Sequence, residues 1–136
     1  MWPLFVFGRP RKSRYFRKYY ETIKENRVFQ KLYKRGKYFV GKTLVTYVGY
    51  EQHGKVRMGI TTGKKIGNSV CRSRARRVIR EAFRMLAPDV QKNVNLVFVA
   101  RGKTPFVKST DVFAEMSYHL KKAGILEEHE KEQIYL

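Results

Sequence analysis

Lys64 to Arg84 reads KKIGNSVCRSRARRVIREAFR, and this stretch decides what kind of chain this is. At about 100° of turn per residue, Cys71, Ala75, Val78, Ile79, Ala82, Phe83 and Leu86 fall on one side of a helix running from about Ser69 to Ala87. Arg72, Arg76, Arg77, Arg80 and Arg84 fall on the other side, with Arg74 at its margin. Pro88 disfavours helix in the residue before it and ends the run. Burying the larger apolar side chains, at about 1.5–3 kcal/mol each, is enough to hold a row of like charges in place. A soluble helix normally intersperses acids among such charges, yet only Glu81 does so here. Guanidinium groups are planar, always charged and able to bridge two phosphate oxygens, so a face this dense in arginine points to phosphate binding.

Composition agrees. Thirty Lys and Arg against eleven Asp and Glu give the chain of 136 residues a net charge of +19, and nine Phe and nine Tyr accompany them. Self-repulsion on this scale calls for a polyanionic partner, with nucleic acid ahead of an anionic membrane surface. The length suits one domain. Cys71 has no second cysteine to pair with, which fits a reducing, cytoplasmic setting. His53, His119 and His129 are scattered without metal spacing, and Glu81 and Glu115 stand apart rather than clustering as a protein-only nuclease would need. The apolar opening from Met1 to Gly8 is too short to cross a bilayer of about 30 Å and lacks the basic start and cleavage site of a secretory signal.

Working outward, Asn26 is the expected N-cap of a short helix, Arg27 to Arg35, stopped by Gly36 and carrying Val28, Phe29, Leu32 and Tyr33 as its apolar stripe. Tyr38 to Tyr50 reads as a strand with Gly41 as a bulge, and Val56 to Thr61 as a second strand forming a hairpin with it. Val94 to Ala100 is apolar enough for a strand covered on both faces. Ser109 or Thr110 caps a last helix to about Lys122, with Val112, Phe113, Met116, Leu120 and Ala123 facing the core and Gly124 as its stop. The expected domains are a basic aromatic extension over 1–21, one RNA-binding α/β domain over 22–125 and an acidic tail over 126–136.

The arginine stretch also resembles the signature of the bacterial ribonuclease P protein family: a lysine-rich loop, Gly-Asn, a small residue and Val, then spaced arginines. The matching positions are Lys64, Lys65, Gly67, Asn68, Ser69, Val70, Arg72, Arg74, Arg76, Arg77 and Arg80. Ser73 stands where the family usually has Asn, and Ser69 where it usually has Ala. The likeness extends from about Asn26 to Ala123. It takes in Phe29-Gln30-Lys31-Leu32-Tyr33-Lys34-Arg35-Gly36, which is similar to the family's first helix, and Tyr47, the aromatic ending a family strand.

The resemblance implies an α+β fold, a two-layer α/β sandwich of order α-β-β-α-β-α related to a ribosomal-protein domain, in which a left-handed βαβ crossover carries the arginine helix. The residues alone favour the right-handed crossover found in about 98% of such units. It further implies a protein subunit that helps a catalytic RNA remove the 5′ leader from precursor tRNA, the RNA and its Mg²⁺ breaking the bond and the protein supplying no catalytic or metal-binding side chain. Lys64, Lys65, Asn68, Arg72, Arg74, Arg76, Arg77 and Arg80 would bind the catalytic RNA. Phe29, Tyr33, Lys34 and Tyr47, with Lys31 as a further phosphate contact, would line a cleft for the single-stranded leader. The expected partners are thus the catalytic RNA and precursor tRNA, with no membrane and no protein partner. The competing readings are a ribosomal protein or basic RNA chaperone, and, for Phe29 and Tyr33, a plain core role.

Overall fold

The computed structural model describes residues 19–127. The expected basic extension up to residue 18 and the tail from residue 128 lie outside the described residues. The elements in chain order are β1 (Glu21–Thr22), α1 (Asn26–Arg35), β2 (Lys37–Val40), β3 (Leu44–Tyr50), β4 (Val56–Thr61), α2 (Ser69–Leu86), β5 (Val94–Ala100) and α3 (Ser109–Ala123). Short 3₁₀ turns occupy Lys64–Ile66, Ala87–Asp89 and Thr104–Phe106.

One five-stranded sheet runs in the order β1-β4-β5-β3-β2. β5 takes the centre because it can be covered everywhere: Val94, Leu96, Val97 and Phe98 are all fully buried. It pairs in parallel with β4 across α2, Val56 opposite Val94 through Thr61 opposite Val99. On its other edge it pairs antiparallel with β3, Leu44 opposite Ala100 through Tyr50 opposite Val94. The expected β3–β4 hairpin is therefore wrong. Residues 51–55 do not turn one strand onto the next but cross the end of β5, where Glu51 donates its backbone N–H to Asn93 at 3.1 Å and Asn93 donates to Lys55 at 2.7 Å. Inserting the most apolar strand between its two neighbours removes both its faces and both its edges from water, a gain that no local turn signal encodes.

The span from Tyr38 to Tyr50 is likewise two strands, not one with a bulge at Gly41. β2 and β3 pair antiparallel, Lys37 opposite Val48 through Val40 opposite Val45. Glu115 of α3 organises the turn between them: its carboxylate accepts the backbone N–H groups of Lys42 at 2.9 Å, Thr43 at 2.8 Å and Leu44 at 3.1 Å, and the Thr43 hydroxyl at 2.6 Å. Burial pushes the Glu115 pKa up, but these hydrogen bonds together outweigh it and hold the group below the ordinary carboxylate value. Two helix starts also differ from expectation. Asn26 lies inside α1, with Glu25 in the cap position, and Lys108 rather than Ser109 or Thr110 precedes α3. There Asp111 supplies the first-turn carboxylate and accepts the Lys108 backbone N–H at 3.3 Å.

The α+β arrangement holds, with α2 and α3 forming the helical layer of the sandwich. Their core joins Ile79, Phe83, Leu86, Val112, Met116 and Leu120 to Leu44, Val48, Val56, Met58, Leu96 and Phe98 from the sheet. Tyr20 seats edge-on against Phe83 with ring centroids 5.0 Å apart, so the packed part begins ahead of β1. On the opposite face α1 lies across the sheet over a much smaller cluster, Ile23, Leu32 and Val97. Two glycines make room for it. A Cβ on Gly49 would stand 2.5 Å from a Leu32 methyl, and one on Gly59 2.6 Å from the Phe29 ring, so α1 can approach only where the sheet is bare.

Candidate nucleic-acid interface

α2 is held by its oily side, as the spacing predicts. Ala75, Ile79, Ala82, Phe83 and Leu86 are buried, with Cys71 and Val78 half-buried at the margins. The Asn68 side chain caps the helix, its Oδ1 accepting the Cys71 backbone N–H at 3.0 Å. Arg72 reaches back and donates from Nη1 to the Gly67 carbonyl at 2.8 Å. Two of the eight residues expected to touch the catalytic RNA thus bind the lysine loop to the start of the helix.

Of the remaining six, Lys64, Lys65, Arg74, Arg77 and Arg80 are exposed and Arg76 is half-buried. Arg72, Arg76 and Arg80 follow each other at four-residue steps along the flank next to the buried stripe, while Arg74 and Arg77 stand further round. The comb therefore has two rows. Arg84 pairs with Glu81, the helix's one acid, and so is the least available of the series. Arg76 and Arg80 also border a small cavity of about 180 Å³ with Tyr20, Phe29 and Ile60, which places the flank row beside the exposed end of α1.

The four residues expected in the leader cleft lie on the α1 side of the sheet. Strand register builds that surface in rows: Arg57, Asn95 and Gly49 align at one end, Gly59, Val97 and Tyr47 in the middle, and Thr61, Val99 and Val45 at the other. α1 covers the middle row. Tyr33 meets Tyr47 edge-on with centroids 5.1 Å apart, and its hydroxyl shares a 2.6 Å hydrogen bond with the Thr61 hydroxyl. Phe29 lies 6.5 Å from Tyr33, over Gly59, and packs with the Ile23–Leu32–Val97 cluster. Lys34 is exposed on the adjoining turn. The structure brings Tyr33, Tyr47 and Phe29, all half-buried, into one aromatic group.

One member of that group escapes sequence reasoning. Tyr38 of β2 is opposite Tyr47 in register, stacks at a 32° tilt with centroids 5.8 Å apart, and is 63% exposed. Its signal was the alternation Tyr38, Val40 along a strand, hidden because β2 and β3 were read as one. Among the described residues no three His, Cys, Asp or Glu side chains come together to hold a metal, and no helix is long and apolar enough to cross a membrane.

Comparison with known proteins places the chain in a family. The family model for ribonuclease P matches residues 16–124. The ribonuclease P protein component of Clostridium novyi is 37% identical over 108 residues, covering 77% of this chain and 95% of that protein. That of Oceanobacillus iheyensis is 36% identical over 105 residues, covering 76% and 87%. Among solved structures, the RNase P protein of Staphylococcus aureus superposes with a TM-score of 0.69 at 27% identity, covering 78% of this chain and 97% of that one. The RNase P protein of Thermotoga maritima shares the fold, with a TM-score of 0.67 over 75% of this chain and 96% of that one, at 24% identity.

Proposed function

Since this chain belongs to the ribonuclease P protein family, whose role is tRNA 5′ processing, we propose that it is the RNA-binding subunit that assists a catalytic RNA in removing the 5′ leader of precursor tRNA. The observation that carries this reading is the arginine helix. A rod pinned to the sheet by five buried side chains presents Arg74, Arg76, Arg77 and Arg80 in a fixed array, and Lys64 and Lys65 extend the array along the preceding loop. Their backbone positions are set before RNA arrives, so binding has to order only the side chains. Asn68 and Arg72 act from behind by fixing the loop to the helix. This face takes the folded catalytic RNA.

The aromatic group on the other side of the sheet takes the leader. Tyr33, Tyr47 and Tyr38 offer ring surface to unpaired bases, at about 1–3 kcal/mol per stacked base and with little sequence preference, which suits leaders of varied sequence. Phe29 backs Tyr33, and Lys34 supplies a cation beside it for the backbone. Bond cleavage belongs to the RNA and its Mg²⁺, which when bound activates water toward the phosphodiester. The protein neutralises phosphates where two polyanions meet and lengthens the grip on the substrate. Its setting is the cytoplasm, where precursor tRNA is made and Cys71 stays reduced.

The test is to add the purified chain to the catalytic RNA and precursor tRNA at low Mg²⁺. Faster leader removal, with the chain alone inert, supports the proposal. Binding to RNA without any change in cleavage would instead favour a general RNA chaperone.

A further inference from the structure

β2 is a four-residue strand at the edge of the sheet, and little within it holds it there. It pairs on one side only, with β3, and Lys37, Tyr38 and Val40 lie exposed. Phe39 turns toward the thick layer and stacks on buried His119 with ring centroids 5.9 Å apart. A short two-stranded ribbon is marginal in water unless something else fixes it. The place of Tyr38 against Tyr47 nevertheless depends on the course of this strand.

The turn that follows β2 is clamped from the helical layer across the sheet from α1. The turn itself supplies one bond, Gly41 N–H to the Leu44 carbonyl at 2.9 Å. The others come from the segment that runs out of β5 into α3. Glu115 takes the N–H groups of Lys42, Thr43 and Leu44 and the Thr43 hydroxyl on one carboxylate. Arg101 donates from Nη1 to the Gly41 carbonyl at 2.8 Å, and the Thr104 hydroxyl donates to the Thr43 carbonyl. Thr104 is itself fixed, fully buried and accepting the Arg101 backbone N–H at 2.8 Å. A Cβ on Gly41 would occupy the space of the Glu115 carboxyl group, so the carboxylate can lie against the turn only because residue 41 has no side chain. Hydrogen bonds to an ionised acceptor are stronger than neutral ones, and four of them converge on Glu115. Tyr38 precedes Gly41 by three residues, about 10 Å of extended strand.

We propose that Glu115 is a positioning residue for the leader: acting from α3, it fixes the β2–β3 turn and, through β2, sets the Tyr38 ring on Tyr47 without touching RNA itself. The inference rests on the leader-binding reading of the aromatic group. A residue of the filled layer thereby governs recognition on the opposite face of the sheet.

The experiment uses the full chain assembled with the catalytic RNA and compares its affinity for precursor tRNA with that for mature tRNA. Glu115→Ala is expected to weaken binding of the leader-bearing RNA about five-fold, the low end of what one stacked base contributes. Mature tRNA and the catalytic RNA should bind as they do to wild type. Gly41→Ala keeps Glu115 but displaces its carboxylate from the turn, and should give the same defect. Adding Tyr38→Ala to either variant should cost nothing beyond Tyr38→Ala alone, because both changes act through one ring. Amide hydrogen exchange should quicken at Lys42, Thr43, Leu44 and along β2 with α2 unchanged, a pattern that a general loss of stability would not give. Should Glu115→Ala fail to fold, Gly41→Ala carries the same comparison, together with Glu115→Gln, which sets an amide N–H against that of Lys42. Full additivity with Tyr38→Ala, equal weakening for mature tRNA, or unchanged leader affinity while Tyr38→Ala still weakens it would each overturn the positioning role alone. No effect of Tyr33→Ala, Tyr38→Ala and Tyr47→Ala on leader binding would overturn it together with the reading it rests on.

Discussion

The two faces of the sheet differ in how much of their surface is committed to holding the fold. The face beneath α2 and α3 is filled: Ile79, Phe83, Leu96, Phe98, Met116 and Leu120 are all inaccessible to water. The face beneath α1 is bridged by a ten-residue helix over Ile23, Leu32 and Val97, and its remaining rings lie half-open on either side. The filled face makes α2 rigid and so turns its outer surface into a fixed array of charge. The thin face leaves aromatic and cationic side chains exposed on the sheet and on α1, where a flexible strand can reach them. Under the function proposed above, the folded catalytic RNA belongs on the far side of the thick layer and the unpaired leader directly on the thin side.

The strongest way to break this contrast is to hollow out the thick face. Phe83→Ala removes a ring that touches both Tyr20 and Phe98, and should cost about 3–5 kcal/mol in denaturant unfolding. A loss below about 1 kcal/mol would mean that α2 is not anchored as described. Next in size is the charge array. Arg74→Gln, Arg77→Gln and Arg80→Gln together should leave stability nearly unchanged but flatten the log–log salt slope for the catalytic RNA, expected near −4 when about five phosphates are engaged. An unaltered slope would place that RNA elsewhere.

The thin face should respond in the opposite sense. Tyr47→Ala and Tyr38→Ala are each expected to cost about 1–3 kcal/mol in affinity for precursor tRNA bearing a leader and nothing for mature tRNA, read by competition binding. For Tyr38, stacked on Tyr47 yet mostly in solvent, the loss of folding stability should be smaller than the loss of affinity. Equal losses for leader-bearing and leaderless RNA would make the tyrosines structural.

The smallest effect is acid sensitivity of the thick face. Buried His119 is held to Thr46 by a 2.8 Å hydrogen bond, and desolvation lowers its pKa although Glu115 pulls the other way. With the folded value below the ordinary 6.5, the unfolded chain binds the extra proton first. The stability linked to this group is therefore complete above pH 6.5 and declines as pH falls toward the folded value. His119→Gln should flatten that part of the unfolding profile, while Glu115, also depressed, governs a further decline at lower pH. A wild-type profile that stays flat from neutral to mildly acidic pH would contradict a neutral, desolvated His119.

Much of this contrast was legible in the chain. The helical spacing of Ala75, Ile79, Ala82, Phe83 and Leu86 determined which side of α2 is buried, because a period near 3.6 leaves one way to hide those side chains. The apolar run of Val94, Leu96, Val97, Phe98, Val99 and Ala100, interrupted only by Asn95, likewise announced a strand covered on both faces. The break at Gly41 was misread because what makes it a turn is Glu115, which lies far along the chain on another helix and caps three successive N–H groups there. Tyr38 was missed for the same kind of reason, because its neighbour Tyr47 comes from another strand.

The sequence by itself determined the three helices, the strands Val56–Thr61 and Val94–Ala100, the amphipathic character of the arginine helix and the polyanionic class of partner, since periodicity and charge are local properties that survive any choice of topology. Only the tertiary structure decided that β5 inserts between β3 and β4, that α1 crosses the sheet where Gly49 and Gly59 leave room for Leu32 and Phe29, and that Tyr38 joins Tyr33 and Tyr47 beside it. Strand order is set by which assembly buries the most apolar surface with every backbone group paired, a sum over distant contacts that no short stretch of chain contains.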